Sequence, residues 1–514
     1  MGSKRVLIIG LDGATWDLIK PWANEGKLPT FKKLMDEGSY RTMRSTRPPI
    51  TIPAIPSFVT GKNPGKHGAI CFVRPKVDRS LGLVDTTHIR DGFYLLPEME
   101  EKKKIIIGLP LNYPDKKINV CSIGGPLTPN KESKDFIYPS ALRHEIAHLL
   151  EKYMIDINVG YLPGKQRKYL DNLVKAAEMR TRLVEYMLKN KEWELAVIYF
   201  IELDRIQHFF WGQDDNSWVF QTYSKLDACV QRLLSCVDSE TNVFLFSDHG
   251  FGEVKGKFCA NAWLEQNGFL IYKNKPQSLF GPQRLRLLVE SPRLRFLKNL
   301  VPNRLLGSAD QFLQTRNWAR GYNNIDWSKS KAFATQSGIH LNNQLSPEDY
   351  QKAREEIIQK LKDLKHPQSG QKLGVSIWTK EEIYSGPYLN RLPDILFSIA
   401  DYVYEPSPTF ENVPYIVPNN VPRGWHREEA IFIAYGANIK KGKELECCAI
   451  YDIAPTVLHL MGVHVPNDMD GRVLKDIFSE ASDAAQREIA YGGAGEQREK
   501  IKNKLRNLKR TGEI

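Results

Sequence analysis

Short runs of apolar residues, each ending at a polar residue, recur along the first half of the chain. The run RVLIIGL at residues 5–11 is rich in β-branched residues and stops at Asp12. Similar runs cover Lys104–Gly108, Leu195–Ile201 and Asn242–Phe246. A continuous apolar run of this length predicts a strand that is buried on both faces, as in a covered parallel sheet.

Stretches with helical spacing lie between several of these strands. They cover Tyr169–Lys189 and Thr222–Val237, and a third stretch over Trp16–Glu37 is interrupted at Pro29. Another strand-like run, AIFIAY at residues 430–435, follows much later. Strands that alternate with helices predict an α/β fold with three layers, α/β/α, around a mostly parallel central sheet.

The pattern changes between Lys273 and Gly321, where the chain is basic and amphipathic and contains no strand-like run. We interpret this stretch as basic helices that cover apolar surface, with a lid or a surface for anionic partners as the alternative. Further strands and a helix over Pro347–Leu364 follow it. The predicted organisation is a catalytic core at 1–272 and 401–480, an inserted helical and α+β cap segment at 273–400, and a basic C-terminal helix or tail at 481–514.

Composition is that of a folded protein, with 42% hydrophobic and 10% aromatic residues. The 72 Lys and Arg exceed the 60 Asp and Glu by 12, which favours anionic substrates, but the basic residues are spread out and do not indicate a specific nucleic-acid partner. The seven cysteines lack paired metal-binding spacing, and no run approaches the roughly 20 apolar residues of a membrane helix. We therefore expect a cytoplasmic protein with reduced thiols.

Acidic residues and histidines recur where the predicted strands end. Because the carboxyl ends of parallel strands form the ligand site of an open α/β sheet, these residues are candidate ligands. A single Asp at such a position is more often a helix cap or a turn residue, so the set is more informative than any member. The candidates are Asp12, Asp204, His208, Asp248, His249 and His426.

The spacing within this set favours a metal site. Asp204 and His208 are four residues apart, so on a helix they face the same way and can hold one ion together. Carboxylate and imidazole groups together suit zinc, manganese or iron, and the absence of a cysteine ligand gives no reason to prefer a structural zinc.

A candidate nucleophile stands in the segment RPPITIPAIPSFVTG, which starts at Arg47. Thr51 is of a type favoured at helix N-caps, and Pro53 fits a first helical turn. The Thr51 hydroxyl is then expected at the positive end of a helix, where a phosphoryl group is favoured. The alternative is that Thr51 only caps the helix.

Taken together, these residues resemble the alkaline phosphatase superfamily, and within it the type I phosphodiesterase and nucleotide pyrophosphatase family. The resemblance covers most of the chain. Its motifs are Asp12 in GLDG, Thr51 two residues before Pro53 and followed by Val59-Thr60-Gly61, NPGKHG at Asn63–Gly68, the pair Asp204 and His208, Asp248-His249-Gly250, His426, and the closing segment Tyr451–Leu474.

The resemblance implies two divalent metal ions, with zinc as the first choice and manganese or iron as alternatives. Asp204, His208 and His426 would bind one ion, and Asp12, Thr51, Asp248 and His249 the other. Thr51 would attack phosphorus and form a phospho-threonine intermediate. The implied substrates are small phosphate esters or nucleotide-like molecules.

One position departs from the family pattern. The eukaryotic nucleotide pyrophosphatases carry an Asn three residues after the nucleophile, in contact with the phosphoryl oxygen, whereas this chain has Ala54. Ala54 is expected to offer the substrate only its backbone N–H. The departure weakens the transfer of nucleotide substrates to this chain.

Rival functions remain. A sulfatase would need Cys or Ser in C/S-x-P-x-R, which the sequence from Thr51 lacks, and a phosphoglycerate mutase would use Ser. A phosphomonoesterase or a phosphonate hydrolase would use the same ligands. From another class, the chain would be a catalytically silent relative that binds anions or lipid, with peripheral membrane contact through its basic segments.

Overall fold

A computed structural model of the chain describes residues 5–75, 81–83, 88, 92–112, 119–128, 131–133, 136–157, 164–212, 214, 217–274, 321–410 and 412–492. Among these residues, none of the helices is both long enough and apolar enough to cross a membrane. The predicted basic segment at 273–321 lies almost entirely outside the described residues. So does the basic C-terminal tail from residue 493 onward.

The described strands and helices alternate over the first half of the chain. The strands are β1 Val6–Leu11, β2 Ser39–Arg44, β3 Val73–Pro75, β4 Leu81–Leu83, β5 Lys104–Ile107, β6 Val120–Ile123, β7 Ile137–Tyr138, β8 Leu195–Phe200, β9 Asn242–Phe246, β10 Gly250–Cys259, β11 Ala332–Thr335, β12 Gly338–Leu341, β13 Val375–Thr379, β14 Ile395–Ile399, β15 Tyr404–Ser407, β16 Ile416–Arg427, β17 Glu429–Tyr435, β18 Lys443–Glu444 and β19 Cys448–Ala449. The described α-helices are Trp16–Asn24, Pro29–Glu37, Thr51–Thr60, Pro64–His67, Leu142–Glu145, Ala147–Leu150, Gln166–Asn190, Glu202–Phe210, Trp218–Leu234, Ala260–Gln266, Pro347–Lys362, Lys380–Ile383, Ile453–Leu460 and Asp483–Gln486.

The larger sheet has ten strands in the order β18-β2-β17-β9-β1-β8-β5-β6-β7, with β19 also paired to β2. Its centre, β9-β1-β8-β5-β6, is parallel throughout, while β17 and β7 run antiparallel to their neighbours. All six residues of β1 are buried, as expected for a strand with helices on both sides. The mostly parallel sheet predicted from the sequence is confirmed.

Helices cover both faces of this sheet and complete three layers. Successive side chains of β1 point to opposite faces, so Leu7 and Ile9 enter one core and Val6 and Ile8 the other. The first core is closed by Trp16–Asn24, Pro29–Glu37, Gln166–Asn190, Glu202–Phe210 and Trp218–Leu234, and the second by Thr51–Thr60 and Ile453–Leu460.

A second sheet of seven strands has the order β11-β12-β14-β15-β10-β16, with β13 paired to β14. It packs with the helices Ala260–Gln266 and Pro347–Lys362 around a core of its own. This sheet starts at Gly250 and ends at Arg427, so it begins earlier and ends later than the predicted cap segment 273–400. The composition changes at residue 273, but the strands that carry the second sheet already begin after His249.

Close packing at the centre of the larger sheet depends on a glycine in β1. A Cβ atom at Gly10 would lie 2.2 Å from Cδ2 of Tyr199, a fully buried side chain of β8. Tyr199 has no room to move, because Phe246 packs on the same side, 3.2 Å from that Cβ position. Only glycine lets the Tyr199 ring cross β1 at this point.

We predict that Gly10→Ala destabilises the protein by about 1–3 kcal/mol, the usual cost of overpacking a core. Gly374→Ala is the matched control, since nothing lies within 4 Å of its Cβ position, and its effect should stay within about 0.5–1 kcal/mol. Urea unfolding followed by circular dichroism measures both. Equal effects of the two substitutions would contradict the packing account.

Candidate metal and catalytic centre

Three neighbouring strands deliver the candidate ligands to one edge of the larger sheet. Asp12 follows β1 directly, and Asp248-His249 follows β9. After β8 the chain enters the helix Glu202–Phe210, which carries Asp204 in its first turn and His208 in its last. β9, β1 and β8 are adjacent and parallel, so their carboxyl ends bring these side chains together.

The last candidate, His426, comes from the second sheet. It lies near the end of β16, which pairs antiparallel with β10, and His426 stands opposite Phe251. β10 begins one residue after His249, and β16 ends one residue after His426, so candidate ligands lie next to both of these connections between the sheets. The site therefore lies at the junction of the two sheets, which the sequence pattern did not predict.

Asp204, His208 and His426 form the first candidate metal group. Oδ1 of Asp204 lies 3.1 Å from Nε2 of His208 and 3.1 Å from Nε2 of His426. The two Nε2 atoms are also 3.1 Å apart. Asp204 and His426 are buried, whereas 22% of the His208 side chain is exposed, so the group opens to solvent on the His208 side.

Asp12, Asp204 and His249 form the second candidate group, with ligand atoms within 4.8 Å of one another. Nε2 of His249 lies 3.3 Å from Oδ1 of Asp12 and 3.5 Å from Oδ2 of Asp248. Asp248 therefore lies beside the group, as the family resemblance implies. Asp204 belongs to both groups, which makes its carboxylate the link between them.

Backbone carbonyls orient two of the imidazole rings. Nδ1 of His426 lies 3.0 Å from the Pro49 carbonyl oxygen, and Nδ1 of His249 lies 3.1 Å from that of Gly250. A carbonyl only accepts hydrogen bonds, so each Nδ1 carries the proton and donates it. Each Nε2 is then a lone-pair donor that points into the site, the form in which histidine binds a metal.

Charge in the site is unbalanced without a cation. Burial, and then the carboxylates of Asp248 and Asp204, raise the pKa of Asp12 well above its usual value. Burial also acts to raise the pKa of Asp204, but His208 and His426 outweigh it and hold that pKa well below the usual range. Burial, together with His249, holds the pKa of His426 well below its usual value, so this ring is neutral.

The residues present fit a divalent cation. Oδ1 of Asp12, Oδ2 of Asp248 and Nε2 of His249 are buried, and among the described residues none of these atoms has a hydrogen-bond partner. A buried polar atom without a partner is costly, and three that converge would be satisfied together by a metal ion. The donor set of carboxylates and imidazoles is that of zinc, manganese or iron.

Thr51 is the first residue of the helix Thr51–Thr60. The sequence predicted Thr51 as the N-cap, but Ile50 occupies that position with extended backbone, φ −129° and ψ 154°, and no side-chain cap bond is formed. The Thr51 hydroxyl is therefore not used to cap the helix. Within the described part of the chain, the N–H groups of Thr51 and Ile52 also have no hydrogen-bond acceptor.

The segment before Thr51 is tied to the candidate ligands. Ser45 donates a hydrogen bond to the carbonyl oxygen of Asp248 at 2.5 Å, and the Pro49 carbonyl holds His426. Two residues of chain span at most about 7.6 Å between Cα atoms, so Thr51 starts close to Pro49 and hence to His426. The chain that leads into Thr51 is thus in contact with two of the six ligand candidates.

Ala54 stays a prediction as a substrate-binding residue, and the structure gives its N–H a partner within the helix. Its backbone N–H donates to the Ile50 carbonyl at 3.2 Å, and the residue is fully buried. The shift of the helix start by one residue is the physical reason, because it places Ala54 at the first intrahelical hydrogen bond. The unused N–H groups at this helix end are those of Thr51 and Ile52 instead.

His67 acts as a structural residue of the turn at Asn63–Gly68. Its Nε2 lies 2.9 Å from the Ser57 hydroxyl, and its Nδ1 accepts a hydrogen bond from the Ala69 N–H at 3.2 Å. Burial lowers the pKa of His67 to about 3, so the ring is neutral. These contacts attach the turn to the helix that starts at Thr51.

The sequence analysis did not identify Arg205 and Asp156, which lie beside the candidate ligands. Arg205 donates to Oδ2 of Asp204 at 2.8 Å and forms an ion pair with Asp156 at 2.9 Å. Neighbouring residues on a helix normally diverge, and Asp156 lies 49 positions earlier, so local spacing gives no signal for this cluster. The only available signal was a cation directly beside a predicted ligand.

The three-layer α/β/α fold, with carboxylate and imidazole groups at the carboxyl ends of its strands, agrees with the alkaline phosphatase superfamily that the sequence motifs resemble. The sequence matches the type I phosphodiesterase / nucleotide pyrophosphatase family over residues 6–426. The chain belongs to this family and is a phosphoric ester hydrolase. No curated protein sequence matches it.

Solved structures share the fold at low sequence identity. An inactive variant of murine ectonucleotide pyrophosphatase / phosphodiesterase 5 in complex with AMP superposes with a TM-score of 0.52 at 13% identity, covering 93% of this chain and 100% of that one. Phosphonoacetate hydrolase from Sinorhizobium meliloti 1021 in complex with phosphonoacetate gives 0.54 at 14% identity, over 90% and 96% of the two chains. At these identities the likeness concerns the fold.

We predict that Asp12→Asn stabilises the metal-free protein by about 1 kcal/mol, because it removes a buried carboxylate that Asp248 and Asp204 repel. The same substitution should reduce the stabilisation that added zinc gives, since a ligand is lost. Urea unfolding with chelator and with excess zinc measures both effects. Asp171→Asn, at an exposed position of the helix Gln166–Asn190, should change neither. Loss of stability in chelator would contradict the charge account.

Proposed function

We propose that the chain hydrolyses small phosphodiesters through Thr51 at a site that holds two divalent ions. The observation that supports this most directly is the pair of ligand groups that share Asp204, next to the start of a helix whose first residue has an unused hydroxyl. Two ligand groups this close to each other would suit a site for two divalent ions. Zinc is the proposed ion, with manganese or iron as alternatives.

The ligand assignment takes the first set from the first cluster, and for the second set it adds Asp248, which the family resemblance implies. Asp204, His208 and His426 would hold one ion, and Asp12, Asp248 and His249 the other, with the Thr51 hydroxyl directed to the second. Bound there, the ions would polarise the phosphoryl oxygens and lower the pKa of the Thr51 hydroxyl. The three carboxylates would give this site the negative charge that attracts the ions, and the imidazole Nε2 atoms would supply lone pairs.

Thr51 is well placed to act as the nucleophile. Its helix end carries a partial positive charge, and its N–H and that of Ile52 point to where an anion would lie. Pro53 has no N–H, so these two groups are the free donors of the first turn. A threonine-to-alanine variant of the murine relative is inactive, which supports a threonine nucleophile in this fold.

The reaction proceeds in two displacements. The Thr51 oxygen forms a bond to phosphorus as the bond to the leaving alkoxide breaks, and the hydroxyl proton is lost to solvent. Water then attacks phosphorus from the vacated side, the bond to Thr51 breaks, and the threonine regains its proton. The N–H groups of Thr51 and Ile52 donate to the phosphoryl oxygen, whose charge increases in each transition state.

A phosphomonoesterase or a phosphonate hydrolase would use the same site. Ala54 has no side chain that reaches the phosphoryl oxygen, so the contact that an Asn makes in nucleotide pyrophosphatases is absent here. The solved relatives bind AMP and phosphonoacetate respectively, and both are small anions with one phosphorus. Comparison of the cleavage rates of a diester, a monoester and a phosphonate therefore distinguishes these three substrate classes best.

We predict that the zinc-loaded protein cleaves bis-p-nitrophenyl phosphate faster than p-nitrophenyl phosphate. Thr51→Ala should lower kcat/KM by at least about 10³-fold, because it removes the attacking oxygen. Thr51→Ser keeps a hydroxyl and should retain a measurable part of the activity. Release of p-nitrophenolate, followed by absorbance, measures all of these rates.

Metal content at saturating zinc gives the control, because Thr51→Ala keeps Asp12, Asp248 and His249 and should then bind as much zinc as the wild type. A preference for the monoester would replace the diester assignment by a phosphomonoesterase, and cleavage of phosphonoacetate alone would replace it by a phosphonate hydrolase. Full activity in Thr51→Ala would refute the threonine nucleophile. Cytoplasmic location stays a prediction from the sequence.

A further inference from the structure

The two oxygens of the Asp204 carboxylate have different surroundings. Oδ1 lies 3.1 Å from Nε2 of both His208 and His426, on the side where the candidate ions would bind. Oδ2 accepts a hydrogen bond of 2.8 Å from Nη1 of Arg205. A carboxylate held in this way presents a single oxygen to the site, and its rotation about the side-chain bond is blocked.

Arg205 is itself fixed by a second carboxylate. Its Nη2 donates to Oδ2 of Asp156 at 2.9 Å, and its Nε lies 3.4 Å from Oδ1 of the same residue. Oδ1 of Asp156 also accepts a hydrogen bond from the Ile157 N–H at 2.7 Å, which fixes the orientation of Asp156. The planar guanidinium thus joins two carboxylates with three of its five N–H donors.

Helix geometry alone would not produce this contact. Asp204 and Arg205 are consecutive residues of the helix Glu202–Phe210, and consecutive side chains on a helix point about 100° apart. The arginine side chain bends back to reach Asp204, and Asp156 holds it there. The Tyr169 hydroxyl donates to the Arg205 carbonyl at 3.1 Å and fixes the backbone at the same point.

A second arginine connects the same two segments. Arg180 is buried and forms an ion pair with Glu202, the first residue of the helix that carries Asp204. Its Nη2 also donates to the Ile155 carbonyl at 3.2 Å, next to Asp156. The loop at Ile155–Asp156 is therefore attached to this helix at two points, through Arg180 and through Arg205.

We propose that Arg205, anchored by Asp156, is a positioning residue that directs Oδ1 of Asp204 into the site and so sets the affinity of the site for its ion. The proposal rests on the assignment of Asp204 as a metal ligand under the proposed function. Arg205 acts through Asp204, and nothing in this proposal requires that it touch the substrate.

Two effects of Arg205 on a bound cation oppose each other. Its positive charge repels the ion and withdraws charge from Asp204, which weakens binding. Its hydrogen bond keeps the carboxylate in the geometry that the ion needs, which strengthens binding. Asp204 is 3% exposed and 35% of the Arg205 side chain is solvent-accessible, so screening weakens the repulsion while the buried geometry is retained. We therefore expect the positioning effect to dominate.

The test measures zinc affinity by competition with a chromophoric chelator. Arg205→Ala should weaken zinc binding by about 10–100-fold, as is typical when a partner that orients a metal ligand is removed. Arg205→Lys keeps the positive charge, but its single ammonium group cannot bind both carboxylates as the planar guanidinium does. It should therefore retain only part of the wild-type zinc affinity.

Arg232 provides a matched control within the same chain. Its side chain is also 35% exposed, and it joins two carboxylates, Glu178 and Glu185, at a distance from the site. Arg232→Ala therefore removes a similar pair of ion pairs and should leave zinc affinity unchanged. Unfolding in urea with chelator present shows whether any variant has lost its fold. If Arg205→Ala does not fold, the zinc affinity of Asp156→Asn, which loses the anchor of Arg205, tests the same proposal.

Failure of the proposal is distinguishable from failure of the proposed function. If Asp204→Asn binds zinc as tightly as the wild type, Asp204 is not a ligand, and the ligand assignment in the proposed function is refuted. If Asp204→Asn loses zinc but Arg205→Ala and Asp156→Asn bind it with unchanged or higher affinity, the site stands and the positioning role is overturned. A loss in both Arg205→Ala and Asp156→Asn, with none in Arg232→Ala, supports it.

Discussion

Three carboxylates, Asp12, Asp204 and Asp248, lie buried together at the centre of this protein, and their mutual repulsion is the constraint to which the surrounding structure responds. Buried like charges persist only where the fold holds them rigidly or where a cation offsets them. Here three adjacent parallel strands deliver them, so the hydrogen bonds of the sheet fix their separation. Divalent ions bound at the site would offset this repulsion by their attraction to the three carboxylates.

The second sheet is coupled to this centre by its first and last strands. β10 starts immediately after His249, and β16 ends immediately after His426, so the two sheets meet at a pair of histidines. The rings of these histidines stack with centroids 3.8 Å apart and planes at 20°. A change in the packing of the second sheet therefore changes the position of His426, and with it the ligand geometry on the larger sheet.

Local pattern predicted the larger sheet and most of the site, for a physical reason. A buried parallel strand is a continuous apolar run, and Asp204 and His208 have helical spacing, so both signals lie within a few residues. The pairing of β10 with β16 joins positions more than 150 residues apart, and the contact of Arg205 with Asp156 joins two loop and helix positions, so neither has a local signature. The start of the helix Thr51–Thr60 was predicted one residue too late, because Thr51 resembles an N-cap and Ile50 does not, although Ile50 occupies that place.

The segment that leads to Thr51, the proposed nucleophile, is held from both sheets. Its Ser45 and Pro49 contact Asp248 and His426, while Arg47 between them contacts the second sheet and the residue after the helix Lys380–Ile383.

The Arg47 guanidinium lies 4.1 Å from the ring centre of Trp378, and the Tyr384 hydroxyl accepts a hydrogen bond from the Arg47 N–H at 2.7 Å. Glu428, two residues after His426, accepts from Nε of Arg47 at 2.9 Å. The segment before Thr51 is thus held by the same contacts that join the two sheets, so the proposed nucleophile and the candidate ligands are ordered together when the sheets pack.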